Sequence, residues 1–85
     1  MDKNEITTKL SERIAKEILS QPGRAIKGAE PLITSGLIDS FHLVDLALMV
    51  EDEFGVHIDD TELNSDCFNN LDQLSGLIQA RIKES

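Results

Sequence analysis

The sequence predicts an all-α fold: a small four-helix bundle with a long loop between helices 1 and 2 and a short third helix. Three observations point there. Apolar residues recur at helical spacing in three separate stretches. Leu and Ile must build the core, because the chain has no Trp, no Tyr and only three Phe, which suits packed helices better than a β-sandwich. Pro and Gly gather between the first two stretches, where they break helices. With 85 residues, a single domain over 1–85 with a modest core is expected.

The first helix is expected over residues 3 to 20. Ile6, Leu10, Ile14 and Ile18 recur every four positions, and pairs such as Glu12–Lys16 add weak support. Gln21-Pro22-Gly23 should end it. Residues 21 to 39 form a long connection that Ile26, Leu32, Ile33, Leu37 and Ile38 should tack onto the core. A loop of that length in a small domain is often functional.

The second helix should open at Gly36-Leu37-Ile38-Asp39-Ser40-Phe41 and run to about Phe54. Asp39 is a good N-cap, which puts Ser40 at about the first helical position. Leu43, Leu46, Ala47, Val50 and Phe54 share one side and face the core. Ser40, Val44, Leu48 and Glu51 share another, with Phe41, Asp45 and Asp52 beside them. Burial on both sides competes with an exposed docking patch for Val44, while acidic flanks favour exposure for Phe41 and Leu48.

Gly55 supplies the C-cap. Val56-His57-Ile58 reads as extended, with Ile58 returning to the core. Asp59 to Asn70 has room for a short helix near Ser65 to Phe68, with Leu63 and Phe68 inward. Asn70-Leu71-Asp72-Gln73 resembles a capping box before a last helix over 71 to 83. Leu74, Leu77, Ile78 and Ile82 face inward there, and Arg81 and Lys83 suit its dipole.

The net charge is −8, and its distribution matters more than its sum. No Lys or Arg lies between Lys27 and Arg81, while acids run from Glu30 to Asp72. Such a surface repels nucleic acid and anionic lipid, and attracts partners with a basic patch. A plain solubility coat is the competing reading, although it tolerates mixed signs. The lone Cys67 excludes an internal disulfide framework, and no four-ligand zinc pattern exists. The longest apolar run, Leu46 to Val50, is far too short to span a bilayer. Residues 1 to 5 carry no signal-peptide pattern, so a cytoplasmic monomer is expected.

Catalysis by Ser40 would need a general base and an oxyanion hole. The only histidines are His42, two residues on and projecting elsewhere, and His57, which reads as a partly exposed turn residue. The G-x-S-x-G elbow is missing. Cys67 reads as a small core or half-buried residue. Glu51, Asp52, Glu53, Asp59 and Asp60 allow a loose divalent site but lack EF-hand spacing, so no structural metal is expected.

Gly36-Leu37-Ile38-Asp39-Ser40-Phe41 followed by Glu51-Asp52-Glu53-Phe54-Gly55-Val56 resembles the acyl carrier protein family. The family's Asp-Ser-Leu signature falls on Asp39-Ser40-Phe41, and the likeness covers nearly the whole chain. It implies that a phosphopantetheinyl transferase attaches 4′-phosphopantetheine to Ser40, beside Asp39, and that acyl groups ride on the arm as thioesters. It also implies that acyl-transferring, condensing and modifying enzymes read the second helix through Phe41, Val44, Asp45, Leu48, Glu51 and Asp52. The expected role is a non-enzymatic carrier for fatty-acid, polyketide or related lipid synthesis. Phe41 stands where Leu is usual and His42 where an acid or polar group is usual, which leaves the cargo open. An aminoacyl or peptidyl carrier is one rival. A small acidic interaction protein without a prosthetic group is the other.

Overall fold

The structure is a computed structural model that describes residues 2–84, with side chains through Ile82; Met1, Ser85 and the side chains of Lys83 and Glu84 lie outside the described part. Its α-helices are α1 (Lys3–Arg13), α2 (Ser40–Phe54) and α3 (Leu71–Glu84). A π-helical turn (Ile14–Ile18) continues α1, and a single 3₁₀ turn spans Asp60–Glu62. Among the described residues there is no strand.

The first helix starts on Asp2, whose carboxylate accepts the Glu5 N–H at 2.9 Å. Its switch to π geometry keeps the apolar stripe on the core. An every-four stripe drifts by about 40° per step on an α-helix, and the wider π turn takes up that drift. Ile6, Leu10, Ile14 and Ala15 are buried and Ile18 is half-buried. The Leu19 N–H reaches the Ile14 carbonyl at 2.9 Å, closing the π turn. Helical structure therefore stops at Ile18, short of residue 20. Ser20, not a glycine, takes the left-handed turn at φ 54. The (i, i+4) ion pair that forms is Arg13–Glu17, rather than Glu12–Lys16.

No helix forms in the long connection, yet its backbone is tied down. Ile26, Leu32 and Ile38 are buried, and Ile33 and Leu37 are half-buried. The Leu32 N–H donates to the Asn69 carbonyl at 2.6 Å. The Asn69 side-chain oxygen accepts the N–H groups of both Ile33 and Thr34, each at 3.0 Å. A buried apolar residue every few positions and one asparagine thus order a segment that has no periodic structure.

The expected short helix near Ser65–Phe68 is a single hydrogen-bonded turn, so the described residues form three α-helices rather than four. Asn64 makes that turn by accepting the Asp66 and Cys67 N–H groups at 3.0 and 3.1 Å. The chain must then leave it, because Phe68 is buried and Asn69 holds the long loop. The short helical element sits earlier, at Asp60–Glu62, closed by a capping box between Asp59 and Glu62. The box at α3 is shifted by one residue. Asn70 accepts the Gln73 N–H at 2.8 Å, but the Gln73 side chain accepts from Asn69, at 2.7 Å.

The core lies between α1 and α3, with α2 crossing the π turn. Leu43, Leu46, Met49 and Val50 enter from α2, and Phe68, Leu71, Leu74 and Ile78 from the α3 side. Val56 and Ile58, just past the end of α2, are also buried. Ser75 is fully buried at the α1–α3 contact, 2.7 Å from the Thr7 hydroxyl. Thr7 donates to the Lys3 carbonyl, so Ser75 donates to Thr7 and the buried hydroxyl is satisfied. Among the described residues, no helix is long and apolar enough to cross a membrane.

Candidate functional site

The start of α2 is set from both sides. Ile38 is buried and its N–H donates to the Leu32 carbonyl at 2.9 Å. Just before it, Gly36 turns the chain at φ 78, a conformation that side chains rarely adopt. Asp39 then stands extended at φ −83, ψ 174 and caps the helix, accepting the His42 N–H at 2.9 Å. The far end is closed by Gly55 at φ 69, whose N–H reaches the Glu51 carbonyl at 2.9 Å.

Ser40 is the first residue of α2 and is exposed. The N–H groups of Ser40 and Phe41 belong to the first turn, where no preceding helical carbonyl exists to receive them. An outward hydroxyl beside such N–H groups, at the positive end of a helix dipole, is a setting that accommodates a phosphodiester.

His42 turns to the capping residue rather than to Ser40. Its ring Nδ1 lies 2.8 Å from the Asp39 carboxylate. Asp39 is held below the usual carboxylate range, first by the His42 backbone N–H, which outweighs desolvation, and then by the His42 ring. No hydrogen bond joins Ser40 to either histidine among the described residues. His57 is exposed, as expected, and lies 3.5 Å from Glu51.

Along the outer side of α2 the apolar residues are open. Phe41 is 85% exposed, Leu48 61% and Val44 50%, so Val44 does not join a second buried face. Asp45, Glu51 and Asp52 flank them and are exposed. The acids differ in their surroundings. Asp52 receives the Arg13 guanidinium at 3.2 Å, Glu51 faces the His57 ring, and none of the described cations pairs with Asp45. The sequence gap in basic residues hid this, because Arg13 comes from another helix. Only the local Arg13–Glu17 spacing was readable in advance.

Two other expectations change or narrow. Cys67 is exposed rather than half-buried, since the Asn64 turn points it outward while Phe68 takes the inner position. Among the described residues no three His, Cys, Asp or Glu side chains gather to hold a metal ion.

The family model for the phosphopantetheine attachment site matches residues 12–78. Comparison with curated proteins gives no match. The matched span holds the ordered loop, all of α2 and most of α3, which are the elements that present and surround the helix start. On that span, most of its length, the chain belongs to the phosphopantetheine-attachment family and is a carrier to which 4′-phosphopantetheine is joined covalently.

Proposed function

We propose that Ser40 is the attachment residue and that residues 1–85 form a single acyl carrier domain. The carrier would act as a cytoplasmic monomer in fatty-acid, polyketide or related lipid synthesis. The observation that carries the assignment to Ser40 is its place: an exposed hydroxyl on the first residue of α2, inside the matched span. The other serines within that span are poorer candidates. Ser75 is buried. The Ser35 hydroxyl is spent on the Pro31 carbonyl at 2.6 Å. Ser20 and Ser65 lie in turns away from any helix start.

When bound, the group supplies a terminal thiol that holds an acyl chain as a thioester. The chain's own residues do the rest. Ser40 gives its oxygen to the phosphodiester as the adenosine bisphosphate portion of coenzyme A leaves. Asp39 and His42 fix the first turn, whose free backbone N–H groups would help hold the phosphate. Phe41, Val44 and Leu48 offer apolar contact, and Asp45 and Glu51 attract basic enzyme surfaces, while Asp52 already holds the Arg13 guanidinium. A shared acidic face allows fast, weak, salt-sensitive docking by many enzymes.

The test is intact mass after incubation with coenzyme A and a broad-specificity phosphopantetheinyl transferase. Wild type gains one phosphopantetheinyl group and Ser40→Ala gains none. An unmodified wild type would favour an acidic interaction protein, and a modified Ser40→Ala would move the site. Mass spectrometry of protein purified from its source identifies the cargo.

A further inference from the structure

Where α1 ends and the π turn begins, one cation leans across to α2. Arg13 donates through Nε and Nη2 to the Glu17 carboxylate and through Nη1 to Asp52 at 3.2 Å. All three guanidinium nitrogens are engaged, and the Arg13 side chain is only 25% exposed. Asp52 remains 75% exposed, so it faces solvent but already holds a counter-charge. These residues line an open groove of about 300 Å³ together with Asp45 and Leu48 of α2.

Asp45 lies two helical turns before Asp52, about 10 Å along the axis, and none of the described cations pairs with it. The acidic side of α2 is therefore uneven. A partner's Lys or Arg that grips Asp52 must displace Arg13 or share its carboxylate, whereas one that grips Asp45 displaces nothing.

We propose that Arg13 is a specificity-determining residue: it masks Asp52 and directs basic partners to the Asp45 end of α2, nearest Ser40. This rests on the carrier reading of Ser40. The partner chemistry is a basic protein surface, on the strength of the exposed acids and the open Leu48 between them. Arg13 itself touches neither the attachment residue nor the arm; it acts through Asp52.

The experiment measures kcat and KM of the unmodified chain for a phosphopantetheinyl transferase whose carrier-binding surface is basic. At low ionic strength Arg13→Gln lowers KM about threefold, the scale of an exposed ion pair, with kcat unchanged. The gain disappears in Arg13→Gln/Asp52→Asn and in high salt, where such pairs are screened. In chains that keep Arg13, Asp45→Asn raises KM several-fold and Asp52→Asn leaves it within twofold. That second comparison stands even if Arg13→Gln folds poorly.

An unchanged or raised KM in well-folded Arg13→Gln, or an Asp52→Asn defect equal to that of Asp45→Asn, overturns the proposal. In either case Ser40 would still be modified, so the carrier reading survives. A wild type that accepts no arm overturns both.

Discussion

Asp39 meets His42 twice, taking its backbone N–H at 2.9 Å and its ring Nδ1 at 2.8 Å. One carboxylate thus caps α2 and holds an imidazole over the turn that presents Ser40. Asp39→Ala removes both contacts and should lower the melting temperature by several degrees. His42→Ala leaves the cap and should lower it less, and Asp39→Asn, itself a good cap, should fall between. Thermal melts followed by circular dichroism rank the three, and an equal loss in all would contradict this account.

Asn69 should matter more than a half-buried polar residue usually does. Its side chain serves the N–H groups of Ile33 and Thr34 and donates to the Thr34 hydroxyl at 2.9 Å. Asn69→Ala is expected to cost about 2 kcal/mol in urea unfolding, the sum of modest individual bonds and newly unsatisfied donors. Amide exchange at Ile33 and Thr34 should quicken in the variant. Unchanged protection there would show that the apolar anchors alone order the loop.

The outer and inner sides of α2 should respond in opposite ways to truncation. Phe41→Ala and Leu48→Ala remove exposed side chains and should change stability by less than about 0.5 kcal/mol. The same variants should raise the transferase KM several-fold, because they strip the apolar contacts between the acids. Leu46 is fully buried, and Leu46→Ala should cost about 2–5 kcal/mol. Normal KM values in both outer variants would remove Phe41 and Leu48 from the docking surface.

Acid should destabilise the fold through specific carboxylates. Glu62 is held below its usual value, chiefly by its hydrogen bond to Arg81 and next by the Asp59 N–H. Asp59 is held low first by the Thr61 N–H, and Asp39 by that of His42. A carboxyl with a lowered folded pKa stabilises above its unfolded pKa, and that stability is lost as pH falls through the folded value. The loss should therefore begin below about pH 4. Relief of diffuse acidic repulsion works the other way, but 0.15 M salt already screens much of it. The urea midpoint should be lower at pH 3 than at pH 6, and Glu62→Gln should narrow that gap. A midpoint that rises at pH 3 would show that repulsion dominates.

Most of α2 was legible in the chain because its signals are local. Asp39 and Gly55 bound it as cap residues, and the apolar spacing assigned Leu43, Leu46 and Val50 to the core. Met49 and Leu71 are also buried although they fell outside the inward sets read from the spacing. The π turn escaped because an every-four stripe reads as α-helix until packing decides how the drift is absorbed. The short third helix was misplaced because Asp59 and Asn64 are both good caps, and spacing alone does not choose between them.

By itself the sequence determined a helical, acidic chain with a capped helix that opens on Ser40. Those features follow from side-chain periodicity, capping chemistry and charge counted along the chain. Only the tertiary structure decided that Arg13 reaches Asp52, 39 positions away, and that Asn69 holds Ile33, 36 positions away. The reason is physical: an ion pair or a loop anchor between distant residues exists only once burial of the core has fixed which helix faces meet.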